Sequence, residues 1–298
     1  MVFLRVTGRS IVNLHSANAE GAVGNYMGLS KMFLVRRVNG NYEISEDVVI
    51  SGNMLKHWHA VNMVELLKAS GYDKLCPYCA RHVMYRSPIK NLKDEFDFVK
   101  MCAIDDVHGF LQPETQIRRE SLIKFSFLLP IEEKRAEYEA ITHNRVVVTE
   151  EGKIPAEEMA MMVFKREHAS GVYGFLCSAD LAYVGRSLSD PENTEKVLSS
   201  DDRKTRVKAT ILALADLFSG RFGAASSRAL PAIRVSEIIC AVSKQPLPNL
   251  VHGFYFDYVE ETANILNSCL KSELIKDLRV FVYGNRPSEI LKNKLPSD

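Results

Sequence analysis

Residues 219–231 read Ser219-Gly220-Arg221-Phe222-Gly223-Ala224-Ala225-Ser226-Ser227-Arg228-Ala229-Leu230-Pro231. The stretch leaves a helix that begins at Ser200-Asp201-Asp202 and carries Val207, Ile211, Leu214 and Phe218 on one face. It then enters a strand at Ile233-Arg234-Val235. Acidic residues suit the start of that helix, whose apolar spacing is that of one buried stripe. Gly220 and Gly223 let backbone approach another group closely. Arg221 and Arg228 present planar cationic forks suited to phosphate, with Ser226 and Ser227 between them. The order excludes a Walker loop, which ends in Gly-Lys-Ser/Thr and opens a helix instead of closing one. Taken alone, the same residues also fit a helix C-cap followed by an ordinary turn.

Working outward, the helix lies between strands. At the start of the chain Val2, Leu4, Val6, Val12 and Leu14 fall on one parity, and Arg5, Thr7, Arg9, Asn13 and His15 on the other. This predicts a long, half-buried strand with a polar, partly basic second face. A polar loop, 16–28, follows. Met32-Phe33-Leu34-Val35 and Val48-Val49-Ile50 flank Asn39-Gly40-Asn41, a hairpin signal. Ser51 is placed to cap a helix bearing Met54, Trp58, Val61, Val64 and Leu67.

Residues 71–105 are irregular and read as an insertion; a strand follows at 124–129. Arg145–Thr149 and Met161–Phe164 form two strand-like arms across an acidic link, a long protruding hairpin. Tyr173–Leu176 returns to the core. A strand at 233–242, a helix near 255–270 and a strand at 278–282 finish the chain. The order β–α–β–β–α–β with insertions predicts an α+β, ferredoxin-like (RRM-type) core in a single domain, 1–298, with the 201–218 helix as its second core helix.

The composition is that of an ordinary soluble globular chain: 298 residues, 46% hydrophobic and 25% charged. A net charge of +1 provides no global basic field, so an anionic partner must be held by local patches. The apolar start is interrupted by Arg5, Gly8 and Arg9. Neither a signal peptide nor a membrane span is expected, and a cytoplasmic location is. Of six cysteines only Cys76 and Cys79 are closely spaced; the scattered ones read as buried thiols.

Five segments in order resemble a known family. They are Val12–Asn18 leading to Val23-Gly24-Asn25; Val49-Ile50-Ser51-Gly52 with a helix carrying His57; Asp106-Val107-His108-Gly109-Phe110-Leu111 followed by Arg118-Arg119-Glu120-Ser121; His143-Asn144-Arg145-Val146; and the Gly220–Pro231 turn. Each is weak alone, but together they span about residues 10–235 and are fairly specific. The chain resembles the DevR-type CRISPR-associated backbone protein of the type I-A Cascade complex, within the repeat-associated RNA-binding superfamily. It departs at His108, where relatives commonly have glycine, and at Gly223-Ala224-Ala225, where they have Gly-Gly-Lys.

The resemblance implies a ferredoxin-like palm with a fingers insertion, 60–110, and a thumb hairpin, 143–175. Copies polymerise along CRISPR RNA as a filament with other Cascade subunits. Each thumb displaces a base, and pairing with the guide reads the target DNA.

Guide binding of this kind tolerates sequence, so phosphate and backbone contacts should dominate. Lys31, Ser51, Lys56, Arg118, Arg119, Arg221, Ser226, Ser227 and Arg228 fit that chemistry, as do Gly52 with the free N–H groups of a helix start and Gly220 and Gly223 through close backbone approach. Arg36-Arg37 is a further basic pair of the kind that usually forms a solvated face. Asn18 suits a 2′-hydroxyl or a base edge. His143, His57 and Arg145 suit a base or phosphate. Met159, Met161 and Met162 on the thumb could wedge between bases or simply pack a strand.

Cys76-Pro77-Tyr78-Cys79 has half the ligands of a tetrahedral zinc site. His82, Cys102 and His108 are the foremost partners, with His57 and His59 also in reach, so a structural zinc is an open expectation. No catalytic cofactor is expected. Two rivals remain at this level: an RNA endonuclease using His15 and His143 as acid and base, and an NTP-binding metabolic enzyme built on the glycine turn. The missing lysine and the turn's position after a helix count against the second.

Overall fold

The computed structural model describes residues 2–85, 89, 91–146, 161–223 and 229–295, with backbone alone at 19, 20, 22, 145, 146, 161 and 162. In chain order the elements are β1 (Phe3–His15), β2 (Ala19–Val23), β3 (Tyr26–Leu29), β4 (Lys31–Val38), β5 (Asn41–Val48) and α1 (Gly52–Ala69). Then come α2 (Glu95–Met101), α3 (Ala103–His108), β6 (Phe110–Gln112), β7 (Ile117–Arg119), β8 (Ile123–Phe125), β9 (Leu129–Pro130) and β10 (Glu137–Val146). The chain ends with β11 (Met161–Ala179), α4 (Ser200–Phe218), β12 (Ala232–Ser243), α5 (Tyr258–Lys271), β13 (Arg279–Tyr283) and α6 (Asn285–Lys294).

The fold is α+β around a mixed central sheet. β1 is its spine. It pairs antiparallel with β11, from Leu4 opposite Ala179 to Val12 opposite Gly171, and with β12, from Phe3 opposite Ser243 to Asn13 opposite Ala232. β13 extends the sheet beyond β12. Beyond β11 lie β8, β9 and β10, all antiparallel to it, while β3 makes a short parallel pairing. The sequence places Met161–Phe164 and Tyr173–Leu176 in separate strands; they are two parts of the continuous 19-residue β11.

The second face of β1 corrects the expectation of a polar, half-buried strand. Residues 3–10 are all buried. On one face Leu4, Val6 and Val12 join a core with Leu55, Val64 and Leu67 of α1 and Ala213, Leu214 and Leu217 of α4. On the other, Phe3, Ile239 and Ala241 pack with Tyr258, Ala263 and Leu266 of α5 and with Leu291 of α6. The buried arginines survive by pairing: Arg5 meets Asp180 at 2.8 Å, and Arg9 meets Glu133 at 2.8 Å. The loop before α5 crosses this face against bare backbone. A Cβ on Gly253 would lie 2.0 Å from the Gly8 carbonyl oxygen, and one on Gly174 would lie 2.1 Å from Gly253, so only glycine fits this crossing.

The chain between α1 and β10 is held by ions. Asp106 of α3 is fully buried and accepts from the Arg119 guanidinium at 2.8 Å, from Arg206 of α4 at 2.8 Å and from the Gly185 N–H at 2.9 Å. Arg119 also pairs with Glu95 and donates to the Asp106 and Arg186 carbonyls. Glu95 accepts from Ser187, Leu188 and Ser189. Burial pushes the Glu95 carboxyl upward, but the Ser189 N–H and Arg119 outweigh it and hold the group below its ordinary range. The expectation that Arg119 contacts RNA phosphate is therefore wrong. Its side chain has no solvent exposure, because two carboxylates from distant segments need its charge. Arg36 is likewise buried, paired with Asp47 at 2.6 Å, whereas Arg37 and Arg118 are exposed.

Removing one partner of a buried ion pair strands the others. Arg119→Ala should therefore cost about 3–5 kcal/mol, while Arg118→Ala should stay within about 0.5 kcal/mol; urea denaturation followed by circular dichroism measures both.

Burial lowers His59 to about 4, opposed by its bond to the Thr210 carbonyl, and lowers His15 and His252 to about 4 as well. A neutral native histidine loses stability as pH falls from its ordinary 6.5 toward the depressed native value, because the unfolded chain takes up the proton first. Unfolding midpoints should drop between pH 7 and 4.5. His59→Gln should flatten the drop, since each such group contributes up to about 3 kcal/mol.

Candidate nucleic-acid interface

Three segments meet at one end of the sheet: the end of β1, the start of α1 and the glycine turn after α4. Ser51 caps α1, its hydroxyl accepting from the Met54 N–H at 3.2 Å. Gly52 opens the helix against the backbone after β8, where a Cβ would lie 2.6 Å from the Phe125 carbonyl oxygen. Asn18, three residues past β1, ties the junction together. Its amide oxygen accepts from the Ser51 hydroxyl and, at 3.3 Å, from the Ser51 N–H; its amide nitrogen donates to Ser30. A capped helix start thus sits beside an oriented amide, an arrangement suited to an anionic backbone.

An open groove of about 730 Å³ lies over this junction, lined by Asn18, Ser51, Asn53, Met54, His57, Trp58, Val83, Met84 and Tyr85. Asn18, Ser51 and His57, three of the expected residues, line it together, and Gly52 and Lys56 lie on the same first turns of α1. The sequence reading missed its aromatic wall. Trp58 packs against the core as its place on the stripe of α1 predicts, and it also borders the groove, edge-on to His57 at 6.0 Å between ring centres. Tyr85 is exposed and packs against Tyr78 at 5.7 Å. The sole tryptophan one position after His57 was the available signal.

The glycine turn adjoins the groove from behind. Gly220 and Gly223 both have positive φ, 96° and 106°, and both are buried, with the Gly220 N–H donating to the Leu217 carbonyl at 3.0 Å, so neither offers the open backbone contact expected of it. Phe222 is buried, and an added Cβ on Gly223 would lie 3.5 Å from Ala17, next to Asn18. Asn62 of α1 donates to the Arg221 carbonyl at 3.2 Å. The Arg221 guanidinium faces solvent and pairs with Asp216 at 2.8 Å. Ser226, Ser227 and Arg228 lie outside the described residues.

Lys31 does not open onto the groove. It pairs with Glu167 at 3.3 Å and lies 3.9 Å above the Tyr138 ring. Burial pulls its pKa down, but Tyr138 and Glu167 together hold the ammonium above its usual value. Its charge serves first to join β4 to β11.

His143 is on β10, away from these residues, stacked on Phe164 at 5.2 Å and tilted to His168 at 6.1 Å. Arg145 pairs with Met162 and Val146 with Met161 along the β10–β11 ladder. Met159 lies outside the described residues. The acid–base pair of His15 and His143 fails on burial. His15 is completely enclosed, bonded to the Tyr173 hydroxyl at 2.8 Å, and burial with His168 lowers it to about 4.

Of the metal-ligand residues, Cys76, Cys79 and Cys102 converge. His82 instead bonds Glu65 at 2.7 Å, and His108 bonds His59 at 3.0 Å. Among the described residues no helix is long and apolar enough to cross a membrane.

Comparison with known proteins agrees with this architecture. Residues 6–263 match the family described as CRISPR-associated negative auto-regulator DevR/Csa2. A "CRISPR-associated protein Cas7/Cst2/DevR" of Methanocaldococcus jannaschii is 40% identical over 91% of this chain and 90% of its own length. A "CRISPR-associated aCascade subunit Cas7/Csa2 2" of Saccharolobus solfataricus is 26% identical over 95% and 92%. A chain of a solved "CRISPR RNA-guided surveillance complex, pre-nicking" shares the fold, with a TM-score of 0.50 at 11% identity over 97% of this chain and 98% of that one. With the match running from β1 into α5, the chain belongs to the DevR/Csa2 family of CRISPR-associated proteins.

Proposed function

We propose that this chain is the repeated backbone subunit of a type I-A Cascade surveillance complex, holding CRISPR RNA along the groove at the start of α1. The observation that carries the reading is the junction itself. An oriented amide, a capped helix start and an aromatic wall share one open surface, a combination that grips a single strand without reading its sequence. Membership in the DevR/Csa2 family and the likeness to a Cascade subunit support it.

In this reading the sheet order β12–β1–β11, with β8–β10 outermost and α1 and α4 on one face, is a ferredoxin-like palm. The β10–β11 hairpin, about 143–175, is the thumb. Arg145, Met161 and Met162 belong to the thumb that reaches the next copy, and Met159 falls outside the described residues. Residues 60–110 are the fingers; their first ten residues complete α1, and the rest forms the ion-locked insertion. Copies of the chain and the other subunits build a filament in the cytoplasm, and the guide pairs with target DNA. The role is structural and not enzymatic. His57, Lys56, Arg118, Arg221 and Arg228 supply local positive or polar contacts, which the net charge of +1 makes necessary.

The test is a gel shift with labelled single-stranded RNA of increasing length. Larger complexes on longer RNA, with no cleavage, are expected, and affinity should fall steeply with salt as counterions are released. Trp58→Ala should weaken binding roughly 5- to 150-fold, the range of one lost base–aromatic stack. Replacing Arg221 and Arg228 together should weaken binding without unfolding. Salt-insensitive affinity, or RNA cleavage abolished by His143→Ala, would overturn the reading.

A further inference from the structure

The insertion between α1 and β10 holds three sulfurs that the RNA-binding role does not use. Cys76 and Cys79 flank a tight turn that continues into the 3-10 turn Cys79–Arg81. Cys102 is the hinge between α2 and α3, ending one helix and beginning the next. All three are fully buried, and their Sγ atoms lie within 4.8 Å of one another. Backbone bonds set this approach independently of the sulfurs. The Ala103 N–H donates to the Lys74 carbonyl at 3.0 Å, the Cys102 N–H to the Phe98 carbonyl at 2.9 Å, and the Asp106 N–H to the Cys102 carbonyl at 3.0 Å.

We propose that Cys76, Cys79 and Cys102 bind a structural zinc ion as three thiolates. Tetrahedral zinc with bonds of about 2.3 Å to sulfur sets neighbouring sulfurs about 3.8 Å apart, a spacing inside the 4.8 Å that bounds this cluster. The Cys79 N–H donates to Cys76 Sγ at 3.4 Å, the kind of backbone bond that orients a metal-bound thiolate. Apolar packing alone gives no reason for three sulfurs from two distant segments to face one another.

Two histidines that the spacing allowed as ligands, His82 and His108, lie outside the converging set and bond Glu65 and His59. Asp105 is the acidic group beside the cluster, outside the ligand atoms that lie within 4.8 Å of one another. It follows Cys102 by one turn of α3, is fully buried, and its field acts on both Cys79 and Cys102.

The consequence is mechanical. The ion would clamp the loop after α1 to the α2–α3 hinge. Val83, Met84 and Tyr85 follow the clamped turn directly and form one wall of the groove. The site is enclosed, so metal enters during folding.

The experiment is elemental analysis of the intact protein, purified without added metal or chelator. Close to one zinc per chain is expected. Cys76→Ser, Cys79→Ser and Cys102→Ser should each reduce it to background, and Asp105→Asn should speed its loss to a chelator. Cys240→Ser and Cys269→Ser should leave it unchanged. Protein produced with cobalt in place of zinc should show sulfur-to-cobalt charge-transfer absorption, which separates thiolate ligation from surface binding. Metal-free wild-type protein with all thiols reduced overturns the proposal, as do a Cys76–Cys79 disulfide in mass spectrometry or iron in place of zinc. None of these outcomes depends on RNA binding, so the two readings fail separately.

Discussion

A single buried carboxylate organises the half of the chain that lies outside the sheet. Asp106 sits without solvent between Arg119 and Arg206 and takes the Gly185 N–H as well. Two of these partners are about 80 and 100 residues away in sequence, so the carboxylate draws together α3, the strand β7, the segment after β11 and helix α4. Two charges of one sign and one of the other are held in a dry core here because Asp106 accepts from both guanidiniums and Arg119 also reaches Glu95, with Arg206 Nη2 left without a hydrogen-bond partner. Glu95 supplies the second negative charge. The matched segment that runs from Asp106 through Arg118-Arg119 therefore holds two sides of one lock.

The lock positions the groove. With α4 held against α3 and α1, the turn at Gly220–Gly223 is delivered to the end of β1, and Asn18 beside it is delivered to Ser51. The surface that results is built from a capped helix start, a hydroxyl, amides and rings. Such a surface suits a polymer whose backbone is constant and whose bases vary. It also fits a chain with almost no net charge, because most of its arginines and lysines near the core are spent on internal carboxylates.

The contrast between Arg118 and Arg119 shows where sequence reading loses its grip. The two are adjacent, chemically identical and equally polar, yet one faces water and the other has no exposed surface. Alternation along β7 separates their faces, but which face is inward depends on Asp106 and Glu95, and nothing local in the sequence pairs those residues with Arg119. Trp58 presents the opposite case. Helical periodicity placed it on the apolar stripe of α1, and it does touch the core, but the stripe runs past the end of the packed region into the groove.

What could be read directly was local or periodic. The helix at 200–218, the capped start at Ser51, the hairpin around Asn39-Gly40 and the strand after the glycine turn follow from spacing and capping chemistry, which act over a few residues. The convergence of Asn18 with Ser51, the CxxC cysteines with Cys102, and Asp106 with two arginines was decided only in three dimensions. Burial sets those pairings: a polar or charged group removed from water must find a partner wherever the fold brings one, and sequence distance does not enter that energy.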